Sequence, residues 1–482
     1  MYIGTIRSLV LIAIFLASLG VSARDGLLDP TFGNCCPADS ASLGRVVIPI
    51  PVGTGVAEAI GAVELADGSL IVVGSVNLSN SAQSNQKAVT LVKLTPDGLP
   101  DPHFYDNGVM VVPFAHLQVE RVVQALARRN AQSGDVEKIV VLTTQNRGGA
   151  NTDPLVLQFN IDGSFDIAFN DGAALAYVPF DFLSEADDDQ AAAMALQSDG
   201  KLVVLATMRG FVVETAFALA RLEVSGHFDV SFGSLVNYSG YTYEYIEGAD
   251  ANISTALAIK SSDVIVAGGV GESDAPRATL YAVMSLGPRG IGVTHHVVGC
   301  SNDNRLTSLA VDLDGNVLVA GSFLGSTKRQ EPCNLRLREE VFSPLSTVSE
   351  RPVVFFGDLS PQAISVLPDG KILIAYTGCN GLDCDFLLQR QPIDGTFGDM
   401  PDGTGALVFF DQGADNQDAL RAMIPLSDSR ALLVGRAQTS VNTFAFAVAR
   451  LIVREEEPPE EEQPIFRNGF EGAMPNADRA LP

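Results

Sequence analysis

The sequence predicts an all-β fold, a seven-bladed β-propeller built from four-stranded blades. Three observations predict it: a hairpin pattern that recurs along the chain, a second element that recurs with it, and two incomplete copies at the ends. The chain has 482 residues, of which 46% are hydrophobic and 18% are charged. This composition is typical of a folded protein and excludes a mainly disordered one.

The recurrent hairpin is an apolar stretch, a polar turn and a second apolar stretch. Four copies turn at Asp-Gly, and three further copies turn at other polar pairs. The turns lie at Asp67-Gly68, Gly134-Asp135, Asp199-Gly200, Ser262-Asp263, Asp314-Gly315, Asp369-Gly370 and Ser427-Asp428. They are on average about 60 residues apart, a period that is too long for a helical pair and fits four strands. The three less regular copies leave six or eight blades as the alternative counts.

A second element, Asp-x-x-Phe, follows the hairpin in several periods. Its copies are Asp29 to Phe32, Asp101 to Phe104, Asp166 to Phe169 and Asp229 to Phe232. The Asp recurs at one position just before an aromatic residue, so we expect its carboxylate to accept backbone N–H bonds and to hold a turn. Together the two elements predict two hairpins, and therefore four strands, in each period.

The two ends of the chain complement each other. The last copy stops after its third strand, Phe444 to Val453, whereas the N-terminal region supplies the missing Asp-x-x-Phe element and a strand at residues 44–50. The two parts sum to one blade. An open seam would leave unpaired strand edges, so we expect residues 24–453 to form a propeller in which both ends share one blade and close the ring.

Two segments resemble the delta-60 repeat family of secreted bacterial proteins. They are Ala193 to Val204 and the phrase Leu28-Asp29-Pro30-Thr31-Phe32-Gly33. The resemblance implies a β-propeller-like fold, and it implies no particular chemistry, because the family is defined by structural residues. The copies at Ser261 to Asp263 and Ser427 to Arg430 depart from the family pattern because they lack the Asp-Gly pair.

The segments on either side of the repeats have different compositions. Residues 1–23 contain one Arg, a short apolar run and small residues before Ala23. This pattern predicts a secretory signal peptide cleaved near Ala23, because the apolar run is shorter than the ~20 residues that span a membrane. Residues 454–464 are rich in Glu and Pro and predict an extended linker. Residues 465–482 carry a Phe-x-x-Gly-Phe-Glu motif that is either a sorting signal or an inert tail.

The six cysteines indicate disulfides in an oxidising compartment. Cys379 and Cys384 flank a short turn, so this pair is the candidate for a local bridge. The pairing of the other four stays open; they are Cys35, Cys36, Cys300 and Cys333. Zinc binding is disfavoured because the spacing differs from paired C-x-x-C and no His lies nearby.

The net charge of -26 opposes binding to nucleic acids and to anionic membranes. We therefore expect no nucleic-acid partner. We also expect no transmembrane segment in the exported chain, because no apolar stretch after residue 23 is long enough to cross a membrane. The partner classes that remain are an envelope or extracellular protein, or a polymer. The chain is expected to be a monomer.

Candidate sites are few. The chain lacks the G-x-S-x-G, H-E-x-x-H and P-loop motifs, and His295 and His296 are adjacent, so on a strand they point to opposite faces. Asp312, Asp314 and Asn316 offer oxygen ligands for calcium near a Gly, and Asp187 to Asp189 form a second acidic run. Tyr241, Tyr243 and Tyr245 would share one strand face as a ligand platform, with a core or rim strand as the alternative.

These observations leave two functions. The first is an exported, non-enzymatic scaffold or binding protein without a cofactor. The second is a hydrolase or lyase whose carboxylates meet at the propeller channel, with calcium assisting. Ala191, Ala193 and Ala195 are small enough for the crowded axis, so we expect them to line it.

Overall fold

The computed structural model describes most of the chain between Leu28 and Val453. The described segments are 28–33, 43–78, 86–112, 118–148, 151–181, 188–209, 214–233, 239–246, 249–274, 277–301, 303–326, 328–337, 344–347, 358–391, 406–410, 417–426 and 429–453. The predicted signal peptide, linker and tail lie outside these residues, as do Cys35 and Cys36. No helix in the described segments is long and apolar enough to cross a membrane.

The regular structure of these segments is entirely β. In chain order the strands are β1 (Arg45–Ile48), β2 (Ala57–Glu64), β3 (Leu70–Asn77), β4 (Lys87–Leu94), β5 (Val109–Val111), β6 (Gln118–Arg129), β7 (Val136–Gly148), β8 (Asn151–Asn160), β9 (Leu175–Tyr177), β10 (Gln190–Leu196), β11 (Leu202–Arg209), β12 (Thr215–Leu222), β13 (Tyr241–Glu244), β14 (Ala251–Ile259), β15 (Ile265–Asp274), β16 (Arg277–Leu286), β17 (Thr294–Val298), β18 (Asn304–Val311), β19 (Val317–Leu324), β20 (Gln330–Pro332), β21 (Leu335–Leu337), β22 (Pro344–Thr347), β23 (Asp358–Val366), β24 (Ile372–Asn380), β25 (Asp383–Gln391), β26 (Ala406–Val408), β27 (Ala419–Pro425), β28 (Arg430–Ser440) and β29 (Thr443–Ile452). All paired strands are antiparallel, as short connections between neighbours allow.

The strands form antiparallel sheets built on a four-stranded plan. Strands β10–β13, β14–β17 and β23–β26 form three sheets in sequential order, and β18–β22 form a fourth with β20 beside β21 on the edge of β19. Strands β2–β9 form an eight-stranded sheet whose two halves, β2–β5 and β6–β9, meet at the single pair Lys87 and Val119. We call each such group of strands a unit. The last unit has the order β1-β29-β28-β27.

The predicted hairpins join the first and second strands of each unit. The pairs are β2 with β3, β6 with β7, β10 with β11, β14 with β15, β18 with β19, β23 with β24, and β27 with β28. At the regular turns the Asp holds the chain: Asp67 Oδ1 accepts the Ser69 N–H at 2.9 Å, and Asp199 Oδ1 accepts the Lys201 N–H at 3.0 Å. The second strands are almost wholly buried because neighbouring units cover both faces.

The Asp-x-x-Phe carboxylates act as turn acceptors, which confirms that prediction. Asp29, Asp101, Asp166 and Asp229 each accept the N–H of the residue two positions later, at 2.9 to 3.2 Å. Two of them also form buried ion pairs, Asp29 with Arg450 at 2.6 Å and Asp229 with Arg221 at 2.7 Å. A buried ion pair of this kind depends on both partners, because losing one leaves an uncompensated charge.

The Phe of each element packs against a glycine of the next unit. The pairs are Phe32 with Gly98, Phe104 with Gly163, Phe169 with Gly226 and Phe232 with Gly290. The four rings are at most 5% exposed, and a Cβ on any of these glycines would lie 2.6 to 2.8 Å from the ring. Each glycine also has a positive φ, which L residues rarely adopt. We call this recurrent contact the Phe–Gly contact.

The N-terminal strand belongs to the last unit. Strand β1 pairs with β29 in the register Arg45 to Ala449, and Leu28 bridges to Leu451. From this position Phe32 reaches forward to Gly98, between β4 and β5 of the following unit. Strand β27 also contacts β2 directly. The two ends of the described chain are therefore held in one sheet.

Two disulfides join described residues. Cys379 and Cys384 are joined across the β24–β25 hairpin, with their Cα atoms 4.0 Å apart. Cys300 and Cys333 form the second bridge, a pairing that the sequence left open, and it ties the segment after β17 to the segment after β20. Both bridges restrict loops between strands.

If the Phe–Gly contact stabilises the fold, a side chain added at its glycine should lower the free energy of unfolding. Gly98→Ala should lower the free energy of unfolding by the ~1 kcal/mol of positive-φ strain plus about 1–3 kcal/mol of overpacking against Phe32. Gly134→Ala is the matched control, because Gly134 has a similar φ of +76° but no atom within 4 Å of its added Cβ. Equilibrium denaturation in urea measures both. Equal losses in the two variants would contradict the role assigned to the contact.

Candidate functional site

The first strand of each unit carries a bulge of one residue. In β10, for example, Ala191 faces Ala206 and Ala193 faces Leu205, so Ala192 has no partner in the ladder. The residues at the matching bulges are Ile60, Val123, Ala192, Thr255, Thr307, Gln362 and Arg421. A bulge turns its extra side chain out of the regular alternation.

All seven bulge residues line one cavity of about 770 Å³, which we call the central cavity. Its volume lies within the range of small-molecule sites. The expectation that Ala191, Ala193 and Ala195 line the axis was wrong: Ala192 lines the cavity, whereas Ala191 and Ala193 are buried between units. The bulge is the physical reason, since it reverses which residues face inward.

One side of the central cavity is basic. Arg421 of β27 meets Glu58 of β2, with Nε and Oε1 2.6 Å apart, and Arg436 of β28 approaches the same oxygen at 3.8 Å. The Arg436 guanidinium also stacks 4.5 Å from the centre of the Phe444 ring. A single carboxylate therefore faces two guanidinium groups.

Two further cations join this group, which we call the basic cluster: Lys87, Arg121, Arg421 and Arg436. Burial lowers the pKa of Lys87, and the charges of Arg421, Arg121 and Arg436 lower it further, against the opposing effect of Glu58. Burial also lowers the pKa values of Arg121 and Arg436. Arg121 donates to the carbonyl oxygen of Ala191. Glu58 offsets only one of these four charges, so the cluster is a local excess of positive charge in an acidic protein.

Two acids also line the central cavity, and Arg305 lines it beside them. Glu272 of β15 pairs with Thr279 of β16, and Thr279 bridges to Asp303, which precedes β18. All three residues line the cavity, and both acids are exposed to it. Two strand spacings separate the two acids, or about 10 Å. Sequence motifs identified neither this pair nor the basic cluster.

The tyrosines lie away from the central cavity. Tyr241 and Tyr243 are on β13, the outermost strand of its sheet, and both pack against the hydrophobic core. The Tyr241 ring contacts Phe180 and Phe228, with centroids 5.5 and 4.8 Å away. Tyr245 is 39% exposed beyond the end of β13. The ligand platform therefore stays a prediction, and its place would be the rim.

The predicted calcium ligands lie at the β18–β19 turn. Asp312 Oδ1 accepts the N–H groups of Asp314 and Asn316 at 2.9 and 2.8 Å. Asp312 Oδ2 meets Arg336 Nη2 at 2.6 Å, and Asn316 donates to it as well. Both oxygens of Asp312 are occupied by these contacts. Calcium at this turn stays a prediction, and binding there would have to replace them.

The comparisons with known proteins concern the fold. A sequence profile of the family described as domain of unknown function (DUF5122) beta-propeller matches residues 65–104 and 197–232. These segments contain the turns and second strands of two regular hairpins and two Asp-x-x-Phe elements. The match supports a β-propeller-like repeat fold. No curated protein matches the chain.

Several solved structures are similar to the chain at low identity. A puromycin hydrolase matches 86% of this chain at 13% identity with a TM-score of 0.47, and the match spans 56% of that protein. The β-propeller domain of the trilobed protease from Pyrococcus furiosus has 11% identity and a TM-score of 0.40, covering 86% and 98% of the two chains. An α-L-arabinofuranosidase from Fusarium graminearum has 10% identity and a TM-score of 0.41, covering 85% and 98%.

The lowered pKa of His296 predicts how the stability of the protein depends on pH. Burial, with the nearby His295, lowers the pKa of His296 from 6.5 to about 4. The unfolded chain therefore binds more protons between these values, so stability present above pH 6.5 should be lost as the pH falls toward about 4. Melting temperatures across this range should fall less in His296→Gln than in the wild type. His103→Gln, at an exposed turn, is the control. If the melting temperatures of the wild type and His296→Gln fall equally with pH, His296 is not the cause of the loss of stability.

Proposed function

We propose that this chain is an exported, non-enzymatic β-propeller that binds a small anionic ligand in its central cavity. The observation that carries the proposal is the basic cluster, of which Arg121 and Arg421 line the central cavity, in a protein of net charge -26. Such an excess of positive charge in a cavity attracts anions. A bound carboxylate, sulfate or phosphate group would reduce the repulsion within the cluster and form charge-assisted hydrogen bonds with the arginines.

We infer that the propeller has seven blades and a closed ring. The single pair between Lys87 and Val119 supports dividing the eight-stranded sheet into two blades. Seven first strands then contribute one bulge residue each to the same cavity. The contact of β27 with β2 and the pairing of β1 with β29 support closure. The period and the phrase Leu28 to Gly33 support membership of the delta-60 repeat family.

The dimensions of the site favour a small ligand or the end of a polymer. The central cavity of about 770 Å³ holds a molecule of a few sugar or amino-acid residues. The remaining surface is acidic, so a long polyanion would be repelled outside the cavity. Export is supported by the pattern of residues 1–23 and by the two disulfides, which persist in oxidising compartments.

The alternative function is a hydrolase or lyase that acts in the same cavity. Glu272 and Asp303 support it, because two carboxylates on facing strands can divide the roles of acid and base. A panel of glycoside and ester substrates tests this alternative. Turnover that is lost in both Glu272→Gln and Asp303→Asn would favour it over binding alone.

If the cavity binds anions, the protein should bind charged ligands and not neutral ligands of similar size. Calorimetric titration should detect uronic-acid oligosaccharides or inorganic sulfate, and should detect no neutral oligosaccharide of the same length. Arg421→Gln should weaken binding about tenfold, because it removes a charged donor that lines the cavity. Lys87→Met should also weaken binding, because Lys87 adds positive charge beside Arg421 and Arg121. Arg129→Gln is the matched control, since Arg129 lies at the other end of β6 from Arg121 and is exposed.

The pH dependence of binding distinguishes Lys87 from the arginines. Because the pKa of Lys87 is lowered, affinity for the anion should fall as the pH rises through the alkaline range, where Lys87 loses its charge. Lys87→Arg should keep its affinity there, since the guanidinium stays charged. Affinities that are equal in wild type, Lys87→Met and Arg421→Gln would contradict the proposed site.

A further inference from the structure

Three carboxylates converge where the unit β6–β9 meets the unit β10–β13. Asp153 lies on β8, Asp181 follows β9, and Asp189 immediately precedes β10. One oxygen from each lies within 4.8 Å of the other two. Among the residues that the structure describes, no other set of three His, Cys, Asp or Glu side chains meets this criterion. We call this group the junction triad.

The junction triad concentrates negative charge in a buried place. Asp153 and Asp189 are fully buried, and Asp181 is half-buried. Arg147 meets Asp153 Oδ2 at 2.8 Å, but its side chain is 44% exposed. Burial and the charges of Asp181, Asp153 and Asp189 together raise the pKa of Tyr241, which reflects the negative potential around the group. Like charges this close repel each other unless a cation lies between them.

A second observation indicates a cation site. Gln145 lies directly opposite Asp153 in the β7–β8 ladder, so both side chains are on the same face of the sheet. Gln145 is 4% exposed, and its Oε1 has no hydrogen-bond partner among the described residues. The same holds for Asp153 Oδ1 within the described segments. Two buried acceptors without donors are costly, and a cation satisfies both.

We propose that Asp153, Asp181 and Asp189, together with Gln145, bind a calcium ion at this junction. The donor set consists of carboxylate and amide oxygens, which hard cations prefer. Ca²⁺ lies about 2.3–2.6 Å from its ligands and accepts irregular coordination, so one ion can contact three oxygens that are within 4.8 Å of one another. Water molecules supply the remaining ligands.

The neighbouring acid Asp188 does not belong to the site. It is exposed, and its Oδ1 accepts a hydrogen bond from Gln190 Nε2 at 2.7 Å and another from Thr152. Of the acidic run that the sequence indicated, Asp189 is therefore the member that joins the triad. Calcium bound there connects β8, the segment after β9 and the start of β10, and so ties two neighbouring units together.

The test uses the full mature chain after treatment with a chelator. Calcium up to about 10 mM, which covers the affinities of extracellular modules, should raise the melting temperature of the wild type and of Asp188→Asn. Asp181→Asn and Asp153→Asn should weaken calcium binding at least tenfold in calorimetric titration. Terbium emission excited through tyrosine gives an independent signal, because the chain has no Trp. It should appear in the wild type and be lost in the two triad variants.

A second measurement separates loss of the ion from loss of the fold. In chelator, Asp181→Asn should be at least as stable as the wild type, because one repelling charge has been removed. In the presence of calcium, the wild type should be more stable than Asp181→Asn. An absence of any thermal shift and of terbium emission in the wild type would overturn the proposal. So would an Asp181→Asn variant that folds and binds calcium with unchanged affinity.

Discussion

The structure depends on the contact between a Phe of one unit and a glycine of the next. The aromatic ring occupies the space that a side chain would need, so the two units approach at a distance fixed by backbone and ring. The same Asp-x-x-Phe element holds its own turn through the Asp carboxylate. Local order and the spacing between units therefore come from four consecutive residues. The same spacing therefore recurs at the four junctions where this contact is found.

The residues that pack between units and the residues that line the cavity lie on different strands. The second strands are buried between units and consist of continuous apolar runs, so they admit little variation. The bulge residues of the first strands face the central cavity and differ from unit to unit, from Ile60 and Ala192 to Gln362 and Arg421. A few changes at these positions alter the charge of the cavity without touching the contacts between units. The basic cluster is therefore compatible with a strongly acidic framework.

Much of the fold could be predicted from the sequence because its determinants are local. Hairpin turns and the turn-holding carboxylates are set by residues a few positions apart, as at Asp199 and Asp229. The site could not be predicted in the same way. The one-residue bulge that places Ala192 in the cavity cannot be recognised from the order of apolar residues in the sequence. The basic cluster and the junction triad assemble residues far apart in sequence, such as Glu58 with Arg421 and Asp153 with Asp189. Only the folded chain brings them together.

We propose that the first and last strands close the ring and so create the cavity. Hydrogen exchange of backbone amides tests this most directly, because ladder hydrogen bonds protect amides in a cooperative unit. The account predicts that Arg45–Ile48 and the opposing residues of Thr443–Ile452 exchange slowly and together, at rates similar to those of β10–β12. Rapid exchange of Arg45–Ile48, with β10–β12 still protected, would contradict closure.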